Sequence, residues 1–254
     1  MSAQALPKTN GLIDEINSYT AKNRKPTDWQ IKLLKKKADI LRGKIPENLY
    51  FDVLGRISCL ENDIAALSQY YQKALKLTPT DFQTQKHYFI ALHNKGLYTK
   101  ALVHGKTMLT DFPEHSETIL SWMIEGAFRA CRMHEAFDFL TRTSNPDNHP
   151  HYQHIREGIA IFETAGLTDD EAEHIQNLAH ALIQKNNIYF STAVINITRD
   201  CIHHQIYVDL PIEEIFELNW QLADALVENT EKTHSDTILF EYESEDVFED
   251  SQTS

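Results

Sequence analysis

A spacing of 34 residues constrains this chain more than any other feature of its sequence. Pro79 and Pro113 are 34 residues apart, as are Leu67 and Ala101, while Ala101 to Ala136 is 35, one residue longer. The first unit runs through Phe51, Leu54 and Gly55, then Leu67, Tyr71, Ala74 and Pro79. The second has Gln85, Tyr88, Phe89 and Leu92, then Gly96, Ala101, Met108 and Pro113. A looser third has Ile119, Trp122, Met123 and Gly126, then Ala136 and Leu140, and a helix pair over 150–185 keeps the length but loses most of the pattern. A fixed period of this size is the mark of a stacked supersecondary unit. Small residues such as Ala74, Ala101 and Ala136 let two helices approach, and Tyr71, Tyr88 and Trp122 fill the space beside them. A proline ends the second helix because it cannot continue one. One helix pair cannot bury its own apolar face, so its neighbours must stack on it.

The pattern resembles the tetratricopeptide signature W-x2-L-G-x2-Y…A-x3-F-x2-A-x4-P, with Phe51 in place of Trp, Ser58 in place of the first Tyr and Leu67 in place of the first small residue. The likeness is good over about 100 residues and weaker over about 40 more. It implies a mainly α fold, a TPR-like α-solenoid of helical hairpins whose concave groove is lined by the first helix of each pair. Such repeats bind peptides or protein segments. Lys86, Ile90, His93 and Asn94 in the second unit, with Leu120, Ile124 and Phe128 in the third, fall where groove residues would be, although some would serve equally as core. Some members of the family clamp a terminal carboxylate with Lys and Asn on successive first helices. Here the units flanking Lys86 and Asn94 offer Asp52, Arg56, Glu117 and Ser121, so no clamp is expected. The competing reading is an unrelated helical bundle with chance spacing.

Four segments are expected: an N-terminal helical cap over 1–46 with an unstructured start at 1–11, repeats over 47–186, a small C-terminal β-β-α-β module over 187–244, and an acidic disordered tail over 245–254. In the cap, Thr27 and Gln30 form a capping-box pattern ahead of the apolar run Trp29, Ile31, Leu33, Leu34, Ala38, Ile40 and Leu41, which Gly43 stops. Breaks are expected near Asn62-Asp63, Thr78-Pro79-Thr80, Asn94-Lys95-Gly96, Pro113, Ser144-Asn145-Pro146 and Gly166. Pro150 can open a helix, and Thr168 with Glu171 supplies a second capping box. After Asn187 the texture turns β-branched and aromatic: 189–198 and 202–208 read as two strands, with a helical alternative for 188–208. Pro211 opens a helix with Ile212, Ile215, Phe216, Leu218, Leu222, Ala225 and Leu226 on its apolar side, and 237–242 reads as a third strand.

Charge is distributed unevenly. The net charge is −13, made up of +5 over residues 1–50, −5 over 51–200 and −13 over 201–254. The acidic balance argues against direct binding of nucleic acid, which needs surplus cation. The basic cluster Lys32, Lys35, Lys36, Lys37, Arg42 and Lys44, and the acidic end with Glu241, Glu243, Glu245, Asp246, Glu249 and Asp250, are solvated faces or docking surfaces. A head-to-tail contact between copies would fit them. Phe240, Tyr242 and Phe248 among those acids read alternatively as a short binding motif. The start shows no basic stub before an apolar run, and no stretch approaches the ~20 apolar residues of a membrane span.

Three well-separated cysteines, Cys59, Cys131 and Cys201, fit reduced thiols in a cytoplasmic chain, each in an apolar element as a small buried hydrophobe. Among 13 histidines, His149, His151 and His154 form the densest cluster, followed by His203-His204. Imidazoles so grouped can hold zinc or nickel, but no carboxylate or cysteine stands beside them at a recognised spacing. His203 and His204 face opposite sides of a strand, so at most one faces a pocket. Asp169-Asp170 and Glu213-Glu214 open helices, where the macrodipole favours anions. No nucleophile motif, phosphate loop or C-x-x-C is present, and no cofactor or metal is expected. The expected function is a non-catalytic protein–protein adaptor (an assembly factor, chaperone or inhibitor) holding another protein or peptide segment in the groove. Two alternatives are a metal-dependent enzyme or regulator using the His149/His151/His154 loop, and a homo-oligomeric subunit assembled through its C-terminal sheet.

Overall fold

The structure is a computed structural model, and it describes residues 5–21 and 25–245. The chain divides into two compact units, Met1–Lys95 and Gly96–Ser254. The division falls inside the segment expected as one run of repeats.

The first unit is five helices: α1 (Ala5–Ala21), α2 (Asp28–Leu41), α3 (Glu47–Glu61), α4 (Ile64–Leu77) and α5 (Phe82–His93). Residues 1–11 were expected to be unstructured, yet Ala5–Gly11 are helical. Pro7 does not oppose this, since it sits in the first turn, where a backbone N–H has no intrahelical acceptor to lose. Thr9, Leu12 and Ile16 are buried at helical spacing and Tyr19 is half-buried. The Thr27 capping box forms as expected: its hydroxyl accepts from the Gln30 amide and the Gln30 side chain accepts from the Thr27 amide. Only one stripe of α2 (Ile31, Leu34, Ala38 and Leu41) enters the core, where it meets Leu12, Ile16, Val53 and Ile57.

The hairpin of α3 and α4 turns at Asn62, which takes a left-handed φ of 63°, and Asp63 caps α4 by accepting from the Ala66 amide. The helices meet closely at Gly55, where an added Cβ would lie 2.6 Å from the Tyr71 ring. A small residue there lets the large Tyr71 ring lie against the facing helix, and Ala74 is fully buried.

The second unit holds α6 (Tyr98–Asp111), α7 (Ser116–Arg129), α8 (Met133–Thr141), α9 (Tyr152–Ala165), α10 (Asp169–Lys185), β1 (Phe190–Ile197), β2 (Ile202–Val208), α11 (Ile212–Asn229) and β3 (Ile238–Ser244). Ala101 and Ala136 are fully buried. Asp169, at the start of α10, serves two helices. Besides opening its own, it accepts from the backbone amides of His134 and Glu135 and so caps α8, whose own N-cap residue Arg132 provides no side-chain cap. Thr168 and Glu171 form the expected second capping box.

The region 188–208 is β, not helical. β1 and β2 are antiparallel with a bulge between Phe190 and Thr192, and β3 joins β2 in parallel, giving the order β1-β2-β3 with α11 as the crossover. Ile202, His204, Ile206 and Val208 share the buried face of β2 with Ile238, Phe240, Tyr242 and Ser244 of β3. Phe240 and Tyr242 are therefore core residues and not the exposed aromatics of a binding motif. Phe248 and the acidic tail beyond Glu245 lie outside the described residues.

Candidate functional site

The residues expected to line a groove separate into two environments. Lys86, His93 and Asn94 are half-buried on α5 and its C-cap, with Ile90 36% exposed between them. Leu120, Ile124 and Phe128 on α7 are buried at 4%, 0% and 5%, so they are core of the second unit and offer a guest no surface. Asp52 and Arg56, which broke the clamp pattern, have an internal task. Asp52 is 2% exposed and accepts from Arg56 Nε at 3.1 Å, and it lies 3.0 Å from His87 Nδ1. Burial would raise its carboxyl, but His87 and Arg56 outweigh burial and hold it below the ordinary value.

The histidine loop is also occupied by the fold. His151 Nε2 bonds to Glu125, and its ring stacks on Phe128 at 4.6 Å between centroids. His149 Nδ1 accepts from the His151 amide at 3.2 Å, and the His151 and His154 rings are 6.4 Å apart. Burial, with His151 beside it, lowers the pKa of His149. Glu125 also accepts from Arg129, which reaches on to the Ala193 carbonyl in β1. Burial works against the Glu125 charge, yet bonds from His151 and Arg129 hold its carboxyl at about 2. This is a charged strut between α7, the loop before α9 and the sheet. Among the described residues, no group of three or more His, Cys, Asp or Glu is placed to hold a metal ion.

Cys131 and His204 meet inside the second unit, Sγ to Nδ1 at 3.4 Å. Cys131 is fully buried, as expected of a small buried hydrophobe, but it sits in the turn after α7 at a φ of 58° and not within a regular element. Cys201 lies in the β1–β2 turn, between the two expected strands, half-buried. A Cys–His pair invites a nucleophile reading, which requires a thiolate beside an imidazolium. Here burial pushes the Cys131 thiol far up and the His204 imidazole well down, so both partners are neutral. His204 packs on Phe240 at 4.7 Å.

His180 lies in the same interior, edge-on to Tyr98 at 5.5 Å and to Phe190 at 5.1 Å. Burial lowers its pKa to about 4. Gly96, at a φ of 67°, lies against this ring so closely that a Cβ would be 2.0 Å from His180 Nδ1. Two open clefts, ≈ 750 Å³ beside Glu157, Ile161, Thr164, Arg199 and Asp236 and ≈ 820 Å³ along the 230–237 loop, receive neither this pair nor the 149–154 histidines.

What the fold leaves exposed is more informative than what it encloses. On α11, Ile215, Leu218 and Leu222 are buried, but Ile212, Phe216, Trp220 and Val227 are 59%, 65%, 69% and 72% exposed. Ile212 and Phe216 were expected on the buried side and lie outside it. At 100° per residue, Ile212, Phe216, Trp220, Ala223 and Val227 fall within an arc of about 80°, one continuous stripe. Glu213, Glu217, Asp224 and Glu228 run along its flank opposite the buried residues, all exposed. None of them enters an ion pair among the described residues, and α11 carries no Lys, Arg or His.

The setting of this helix is fixed by Asn219. Its side-chain amide donates to the Tyr242 carbonyl at 3.0 Å and its oxygen accepts from the Tyr242 amide at 2.9 Å, on the outer edge of β3. With Asn219 clamped to the strand, Phe216 and Trp220 are held outward. The signal was present in the sequence as excess width: apolar residues on α11 cover more of the helix than one buried face needs. No family model, curated protein or solved structure matches this chain.

Proposed function

We propose that this chain is a non-catalytic protein-binding scaffold: helical hairpins of tetratricopeptide type carrying a small C-terminal module that presents the docking surface. One observation carries the reading, the exposed apolar stripe of α11 with its acidic flank. Four large apolar side chains in line on a helix that is otherwise acidic are the surface of an interaction site and not of a solvated helix. A guest that fits would be an amphipathic helix whose apolar face meets Phe216, Trp220 and Val227 while its cations meet Glu217, Asp224 and Glu228.

The neutral state of the Cys131–His204 pair supports a structural role for the chemistry buried beneath the sheet. Three free cysteines suit a reducing compartment such as the cytoplasm, and no helix among the described residues is long and apolar enough to cross a membrane. The exposure of Ile90, with Lys86, His93 and Asn94 around it, favours a second, smaller contact on α5, where the repeat resemblance expects a groove.

The test uses a designed Leu–Lys amphipathic helical peptide as the probe. Binding to the full chain should weaken at least tenfold for Trp220→Asp and Val227→Asp, and should fall as salt rises. Far-ultraviolet circular dichroism of the variants should match the parent. Equal affinity for the parent and both variants would remove the basis for the reading.

A further inference from the structure

The α11 surface has a counterpart on the same chain. On α2, Trp29 is 70% and Ile40 51% exposed, Leu33 is half-buried, and Lys32 and Lys36 stand exposed beside them. These residues face away from the buried stripe of Ile31, Leu34, Ala38 and Leu41. The steps along the two helices are the same: Trp29, Leu33, Lys36 and Ile40 on α2, and Phe216, Trp220, Ala223 and Val227 on α11, follow one another at intervals of four, three and four residues. Each stripe spans about 16 Å of helix axis, and positions four, three and four residues apart share one helix face, the face two packed helices need to interdigitate side chains. On α2 the third of these positions is Lys36, between the apolar Leu33 and Ile40.

The charges are opposite. Lys35 and Lys37 are engaged by Glu61 and Glu15, but Lys32 and Lys36 carry no ion pair among the described residues, and neither do Glu213, Glu217, Asp224 and Glu228. Within α2 the only carboxylates are Asp28 and Asp39, against four lysines. Two copies of α11 laid together would oppose acid to acid, and two copies of α2 lysine to lysine, which disfavours a symmetric contact through either helix. A basic stripe against an acidic one satisfies both terms.

We propose that the occupant of the α11 surface is α2 of a second copy of this chain, giving head-to-tail self-association. This rests on the scaffold reading of α11 and names its partner. Trp29 and Trp220 supply the large buried aromatics that usually dominate a small interface, and the lysine and carboxylate rows set its direction and salt sensitivity. Each pairing leaves one α2 and one α11 unused, so such a contact continues into longer assemblies unless its rotation closes a ring. A single pair of helix faces is at the small end of specific interfaces, below about 1,200 Å² in total, so association should depend on concentration.

The experiment is sedimentation velocity on the full chain and on two variants, Trp29→Asp and Trp220→Asp, alone and mixed in equal amounts. The parent's average mass should rise above 29.3 kDa with concentration and fall back in high salt. Each variant alone should stay a monomer, because one of its two surfaces is spoiled. The mixture should give a one-to-one pair and nothing larger, since the sound α11 of Trp29→Asp meets the sound α2 of Trp220→Asp. Charge variants, Lys32→Glu with Lys36→Glu and Glu217→Lys with Asp224→Lys, repeat the design without touching an apolar residue, should either tryptophan variant misfold. A parent that stays at monomer mass, a single variant that assembles like the parent, or a mixture that stays monomeric overturns the proposal. A monomeric parent that still binds the Leu–Lys peptide at α11 refutes only the identity of the partner. Loss of peptide binding as well refutes the scaffold reading with it.

Discussion

Acidification should weaken the second unit through His180. The imidazole is fully buried, with Tyr98, Phe190 and Gly96 around it and no hydrogen bond to Nε2. Burial lowers its pKa from 6.5 to about 4. Above pH 6.5 the ring is neutral whether the unit is folded or not, and its contribution to stability is fully present. As pH falls below 6.5, the unfolded chain takes up a proton that the folded unit refuses until about pH 4, and the balance moves toward unfolding. Each pH unit in that window is worth about 1.4 kcal/mol, so a fall from pH 7.5 to 4.5 should cost about 3 kcal/mol from this one residue. His204, also held neutral by burial, acts in the same direction.

The assay is urea unfolding followed by tryptophan emission in a Trp29→Phe background, which leaves Trp122 and Trp220, both in the second unit, as the reporters. His180→Leu keeps the volume and removes the titrating ring. Its stability should drop less between the two pH values than that of its parent, by about 3 kcal/mol, whatever its stability at pH 7.5. Two parallel pH profiles would show that the ring titrates normally in the folded unit, and the burial argument would fail.

Gly96→Ala should destabilise the second unit by about 1 to 3 kcal/mol, because a side chain at a φ of 67° is strained and its Cβ meets His180; thermal unfolding reads this, and an unchanged midpoint would refute it. Asp169→Ala removes the cap of α8 and should cost about 1 kcal/mol or more in urea unfolding, with amide exchange of His134 and Glu135 accelerated first. Asn219→Ala leaves the Tyr242 backbone without its two bonds and should cost about 1 to 3 kcal/mol; exchange of the Tyr242 amide is the direct measure. Cys131 should resist alkylation in the native protein and react only on unfolding, since its thiol is buried and its pKa raised. Mass spectrometry after brief labelling separates it from Cys59 and Cys201.

The helical part of the fold was legible because its stops are local. Thr27 with Gln30, Thr168 with Glu171, and the breaks at Asn62, Pro79, Pro113 and Gly166 each act over three or four residues, and each falls where expected. The strands were legible from alternation: Ile202, Ile206 and Val208 share one face, and His204 joins them inside. The site was not, because it depends on which of two apolar stripes a helix buries. Ile212 and Phe216 look no different in sequence from Ile215 and Leu218, and the rotation that buries the second pair, held in part by the clamp between Asn219 and Tyr242, 23 residues apart, depends on long-range packing. Leu120, Ile124 and Phe128 are buried for a related reason: a periodic spacing marks one face of a helix without saying whether a further element will cover it. Cys131 was expected inside an apolar element and lies in a left-handed turn that no neighbouring Gly or Asn announces.

The bond between Asn219 and Tyr242 also has a consequence for how copies of the molecule can meet. A peripheral strand normally offers a template onto which another backbone can zip without regard to sequence, and such growth is hard to reverse. Here that template is interrupted midway by a borrowed amide. On the β3 side of the sheet, growth by backbone pairing is blocked at that point, and the helical contact proposed above is of a kind that salt and dilution can undo.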